Sequence, residues 1–183
     1  SRSNDTLSKT IFYKILNPAN WLNIYHVSQA RLNVADSVRI ELREPTTPYN
    51  IINSSIVYPT IENSKLNARV LLSNASSGSS YYIVLKNRNS LETWSANTVA
   101  IGTDSTVYDF TTSVSQAFGN NMILTGGLAS IYSGDINQDG TIELSDVLQT
   151  FNDASSFTVG NSDLNGDGIT DLNDLLIVFN NTS

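Results

Sequence analysis

Apolar and polar residues alternate in short runs over the first two thirds of the chain. In Asp36–Glu44, Val38, Ile40 and Leu42 fall on one face and Arg39, Glu41 and Arg43 on the other. A period of two predicts a half-buried β-strand. Leu66–Leu72 and Tyr81–Lys86 read as further strands, joined by the turn-rich stretch 73–80, SNASSGSS. Thr10–Leu16, Ile51–Tyr58 and Val107–Thr111 add three more. About six or seven short strands between turn signals predict an antiparallel, immunoglobulin-like β-sandwich over residues 1–130. The pattern changes over residues 131–183. There Val147, Leu148 and Phe151, and then Leu175, Leu176, Val178 and Phe179, recur at helical spacing. Two short helices are expected, packed face to face with pseudo-twofold symmetry. The fold class is therefore mainly β with a small α module.

The helical stretches belong to a repeat. Asp135–Asp153 (DINQDGTIELSDVLQTFND) aligns with Asp163–Asn181 (DLNGDGITDLNDLLIVFNN) at an offset of 28 residues. Both read D-x-N-x-D-G-x-x-[DE]-x-x-D. Calcium takes six to eight oxygens at about 2.3–2.6 Å, and a tight loop presents them from positions 1, 3, 5, 7, 9 and 12. In loop one these are Asp135, Asn137, Asp139, the carbonyl of Thr141, Glu143 and Asp146. In loop two they are Asp163, Asn165, Asp167, the carbonyl of Ile169, Asp171 and Asp174. Gly140 and Gly168 hold position 6, where the chain turns sharply. Two calcium ions are expected. Magnesium, which keeps its waters and few protein ligands, suits such loops less. The loops differ from EF-hands in two respects: position 12 is Asp rather than Glu, and no amphipathic helix leads into either loop.

Charge supports a cation site. Residues 1–132 hold all ten Lys and Arg and eight acids, a balance of +2; residues 133–183 hold nine acids and no Lys or Arg, a balance of −9. Two calcium ions add four charges and bring the segment to −5. A solvated acidic tail would not repeat every ligand position. No basic nucleic-acid footprint is present, and no apolar run approaches the roughly 18–20 residues of a membrane span. Cysteine is absent, so disulfides and thiolate chemistry are excluded. The polar start Ser1–Asp5 lacks an apolar signal core, and the expectation is a mature fragment of something longer.

With these motifs in view, residues 134–181 resemble a dockerin, the loop–helix repeat that binds cohesin domains. The resemblance implies calcium-dependent folding, secretion, and assembly onto a cohesin-like or other cell-surface protein. It implies partner contacts at loop positions 10 and 11, here Leu144, Ser145, Leu172 and Asn173. Leu144 and Leu172 are equally open to burial in the module's own core. Tyr81–Ala96, Tyr108–Thr111 and Tyr132–Asp135 also resemble modules that precede dockerin-like repeats in large secreted proteins of Bacteroidota-type bacteria. This resemblance implies the C-terminal region of a multimodular secreted protein, monomeric as an isolated module, and leaves the rest of that protein open: a glycoside hydrolase acting in polysaccharide degradation, a protease or an adhesin.

Catalytic signatures are missing. No G-x-S-x-G, H-E-x-x-H or phosphate-binding glycine loop occurs. His26, the one histidine, has no flanking base and reads as structural. Glu41 with Glu44, and Glu92 alone, suit solvated strand faces better than a hydrolytic cleft. The expectation is a non-catalytic attachment module. An alternative stays open: a carbohydrate-binding or adhesive sandwich capped by the calcium repeat. For that role Trp21, Tyr25, Tyr49, Tyr58, Tyr81, Tyr82 and Trp94 are candidate stacking residues, although sandwiches also bury aromatics routinely. Arg88 near Trp94 is a candidate cation–π pair.

Overall fold

A computed structural model describes residues 20–32, 34–156 and 160–182. The expected strand Thr10–Leu16 lies outside the described residues. One sheet joins β1 (Trp21–His26), β4 (Thr60–Glu62), β5 (Lys65–Leu71) and β9 (Ser105–Asp109) in the order β4-β5-β1-β9. The other joins β2 (Val38–Arg43), β3 (Ile51–Val57), β6 (Ser80–Lys86) and β7 (Thr93–Trp94) in the order β3-β2-β6-β7, with β8 (Val99–Ala100) also paired to β6. A small hairpin, β10 (Ile123–Thr125) with β11 (Leu128–Ser130), follows. Two short helices close the chain, α1 (Leu144–Ser155) and α2 (Leu172–Asn181).

The two larger sheets bury their inner faces against each other. Leu22 and Ile24 of β1, Ala68 and Val70 of β5, Ile40 and Leu42 of β2, and Ile83 and Leu85 of β6 share one core with Phe110 and Ile131. The alternation along each strand follows from the pleat, which sends successive side chains to opposite faces. The stretch 73–80 is indeed a connection, and it carries the chain from β5 in one sheet to β6 in the other.

Three expectations need correction. The sandwich is not wholly antiparallel: β1 pairs with β9 in parallel, Trp21 opposite Ser105 through Tyr25 opposite Asp109. Glu41 is not on a solvated face. It is buried beneath Arg43, whose Nε donates to Glu41 Oε2 at 2.9 Å. Arg88 does not stack on Trp94; its Nε donates to Asp36 at 2.6 Å, and Arg43 takes the place over the indole at 5.0 Å.

The repeat region is stitched onto the sandwich rather than tethered to it. Ile131 N–H donates to Val27 O, Leu91 N–H to Tyr132 O, and Gly134 N–H to Asn89 O, at 2.9, 3.0 and 2.8 Å. Asn181, at the end of α2, donates to Ser133 O at 2.7 Å and to Gln29 Oε1 at 2.6 Å. A second core lies at this join: Ile136, Ile142, Leu164 and Val178, with Ala30, Leu91 and Tyr132 packed against them.

Candidate functional site

Each loop turns back on itself through its own Asp and Asn side chains. Asp135 Oδ2 accepts from Gly140 N–H at 3.2 Å, and Asp163 Oδ2 accepts from Gly168 N–H at 3.2 Å. Asn137 and Asn165 accept from the amides of Asp139 and Asp167 at 2.9 and 2.8 Å. Asp139 and Asp167 accept from Thr141 and Ile169 at 3.0 and 2.9 Å. The side chains of positions 1, 3 and 5 thus each hold an amide further along their own loop. The sharp turn needs a left-handed backbone, and Gly140 and Gly168 supply it with φ of 92° and 88°.

Positions 9 and 12 have a second task. Glu143 and Asp171 are the N-caps of α1 and α2. Their N–H groups donate to Asp146 Oδ2 and Asp174 Oδ2 at 3.0 and 2.9 Å. The other oxygen of each fully buried Asp accepts from the amides of positions 2 and 3. Asp146 Oδ1 takes Ile136 N–H at 2.8 Å, and Asp174 Oδ1 takes Leu164 N–H at 2.8 Å. The D/E-x-x-D spacing therefore builds both a helix start and the far wall of each loop.

Among the described residues, no three acidic, histidine or cysteine side chains converge closely enough to hold a metal. The carboxylates are turned onto the loop amides instead. One oxygen is left over. Asp135 is 2 % exposed, and its Oδ1 has no hydrogen-bond partner. Burial pushes its carboxyl up to about 6, aided by the charges of Asp146 and Asp139, while the Gly140 amide opposes. A buried carboxylate with a free oxygen, beside two more acids, fits a cation better than it fits an empty loop. Asp139, fully exposed, is held below the usual carboxylate range by Thr141.

The helices divide into two matched faces. Inward stand Asp146, Val147 and Thr150 of α1, and Asp174, Leu175 and Val178 of α2. Outward stand Leu144, Leu148 and Phe151, and Leu172, Leu176 and Phe179. Every outward residue of α1 matches one of α2 at the same 28-residue offset. Leu144 and Leu172 are 68 % and 66 % exposed, so neither is part of the module's core. The expected face-to-face packing of Leu148, Phe151, Leu176 and Phe179 is corrected: these four look outward, while Val147, Ile177 and Val178 turn into the second core and Leu175 is half-buried. Ser145 and Asn173 are exposed beside the leucines.

The sandwich holds loop two directly. Arg31 Nε donates to Leu164 O at 2.8 Å and its Nη2 donates to Asp163 O. Asn89 Nδ2 reaches Asn161 O and Asp163 O at 3.0 and 3.2 Å, and Arg88 donates to Gly160 O. Sequence reading missed these anchors, because nothing local marks side chains 72 to 133 residues upstream as loop partners. Nor could the outward residues be told from the inward ones, because Val147 and Leu148, and their counterparts Leu175 and Leu176, are all apolar.

Away from the loops, Tyr49, Tyr82 and Trp94 meet edge to face, with centroids 5.7–6.1 Å apart, and with Phe118 line a hollow of about 300 Å³. Tyr81 is buried, whereas Tyr58 is exposed. Trp21 is covered by Arg69 at 4.2 Å and Tyr25 neighbours Lys65 at 6.0 Å. The seven aromatics therefore form no single platform.

Solved structures share this fold. One chain of a type II cohesin–X–dockerin complex from Acetivibrio cellulolyticus, a C-terminal interface mutant, is similar at a TM-score of 0.53 and 18 % identity, over 90 % of this chain and 96 % of that one. A chain of the N-terminal interface mutant of that complex gives 0.50 and 21 %, over 90 % and 94 %. The likeness speaks for the fold: mainly β, arranged as a sandwich, with two short helices. No family model and no curated protein matches. No helix among the described residues is long and apolar enough to cross a membrane.

Proposed function

We propose that this chain is a non-catalytic attachment module of a secreted bacterial protein. Residues 131–183 act as a dockerin-like unit that takes two calcium ions and docks on a cohesin-like protein. The observation that carries this reading is the matched pair of outward triplets, Leu144, Leu148 and Phe151 with Leu172, Leu176 and Phe179. Exposed large apolar residues add little to the module's own stability, and covering what they still expose in a partner would contribute up to about 1.5–3 kcal/mol each. The similar structures come from a complex whose name includes both cohesin and dockerin, which supports a protein partner of that kind. Calcium would sit on the oxygens of positions 1, 3, 5, 7, 9 and 12 in each loop, among them Asp135 with its free Oδ1. The test is calorimetric binding of the full chain to a type II cohesin, with calcium and with EGTA. Binding that needs calcium supports the reading, and no binding to any cohesin in either condition sinks it.

A second reading has one observation in its favour. The aromatic hollow of Tyr49, Tyr82, Trp94 and Phe118 is shaped like a small-ligand site and bordered by Arg43 and Glu92. It would make the sandwich a glycan-binding domain with the repeat as a structural cap. Loss of oligosaccharide binding in Trp94→Ala would support it.

A further inference from the structure

The two loops differ at position 4. In loop one this is Gln138, whose Nε2 donates back to the carbonyl of Asp135 at 2.5 Å. In loop two it is Gly166, which has no side chain to make that bond. The matching carbonyl, that of Asp163, is capped from the sandwich by Arg31 Nη2 and, at 3.2 Å, by Asn89 Nδ2, while Arg31 Nε holds the next one, Leu164, at 2.8 Å. The guanidinium lies where the missing side chain would go. A Cβ at Gly166 would stand 3.2 Å from Arg31 Nε and 3.2 Å from Val34 Cγ1. Both position-4 residues are left-handed, Gln138 at φ 60° and Gly166 at φ 79°. The backbone therefore tolerates a side chain at this position in loop one, and what selects glycine in loop two is the space taken by Arg31 and Val34.

We propose that Arg31 is a positioning residue for the second cation loop. It stands in for Gln138 at the first carbonyl, which in loop one is capped by a side chain of the loop, itself also bonded to Ser90 O at 3.4 Å, and in loop two by the sandwich. This inference rests on the calcium reading above. Charge alone would argue the other way, since Arg31 Nη2 lies 3.8 Å from Asp163 Oδ2 and would repel a cation. Asp36, bonded to Arg31 Nη1 at 2.7 Å and shared with Arg88 at 2.6 Å, offsets that charge only in part. The remaining effect is geometric. Arg31 is 6 % exposed, and its fork fixes two successive carbonyls, and with them the Asp163 carboxylate, before any ion arrives. Partners that orient metal ligands in this way are worth roughly 10–100-fold in affinity.

The test is an NMR titration of the full chain with calcium, following the amides of Gly140 and Gly168. Each reports one loop, because each donates to the first Asp of its own loop. Both are expected to shift in the native chain. Arg31→Lys keeps the charge beside Asp36 and loses the fork. It should raise the Gly168 midpoint roughly 10-fold or more and leave that of Gly140 in place. Arg31→Ala combined with Gly166→Gln returns a donor to position 4 and should bring the Gly168 midpoint back toward native, which relief of a merely structural defect would not do. A Gly168 midpoint in Arg31→Lys that is unchanged or lower overturns the inference while the calcium reading stands. Silence of both amides in the native chain overturns both.

Discussion

Leu148 and Leu176 occupy the same station on two helices 28 residues apart, and both face outward, 52 % and 48 % exposed. Substitution of exposed residues usually stays within about 0.5 kcal/mol. Leu148→Ser with Leu176→Ser should therefore leave the denaturant midpoint almost unmoved and cut cohesin affinity. Leu164→Ala provides the contrast. Leu164 is fully buried at the join, and its loss should cost about 2–5 kcal/mol in the same unfolding measurement.

Chelation should lower the melting temperature. An ion that binds only the native state adds about 2.7 kcal/mol at a hundred times its dissociation constant. Scanning calorimetry in calcium and in EGTA measures the difference, and identical melting curves would count against the metal sites.

Asp146 separates the metal role from the structural one. Its carboxylate accepts from Ile136, Asn137 and Glu143 at 2.8, 3.2 and 3.0 Å. Asp146→Ala strands those amides, at about 1–3 kcal/mol for each one that stays buried. Destabilisation should therefore persist in EGTA. If the variant matches the native chain once calcium is removed, the carboxylate serves only the ion.

His26 makes the sandwich sensitive to acid. It is fully buried with neither ring nitrogen bonded, and burial lowers it to about 4 from an ordinary 6.5. Between those values the unfolded chain takes up a proton that the native chain refuses. Stability is therefore complete above pH 6.5 and is lost as the pH falls through 4, by about 3 kcal/mol in total. His26→Gln should flatten this part of the stability–pH curve, measured by urea unfolding from pH 4 to 7.

The strands that were legible are those whose two faces differ in kind. Val38–Arg43 alternates apolar with charged, and Ser80–Lys86 carries a strong apolar run. Trp21–His26 escaped because its outer positions, Trp21, Asn23 and Tyr25, mix aromatic with polar, and its inner series ends in a histidine. Its parallel partner Ser105–Asp109 lies some eighty residues away, and no local pattern encodes such a pairing. The loop positions were legible because each demands a particular atom at a particular place. The helix faces were not. Val147 and Leu148 are both apolar neighbours on one turn, pointing about 100° apart. Which of them turns inward depends on the second core of Ile136, Ile142, Leu164 and Val178, against which Val147 packs.

The lateral bonds from Leu91 to Tyr132 and from Gly134 to Asn89 have a mechanical consequence. A partner pulling on the outer face of α1 and α2 would load these bonds sideways, several at once, instead of drawing out a slack tether. Tension would pass straight into the β2–β6 sheet through residues 87–91. The sandwich would then behave as the shank of a hook whose barb is the helical repeat, and the grip on a partner would extend as far as the sheet holds.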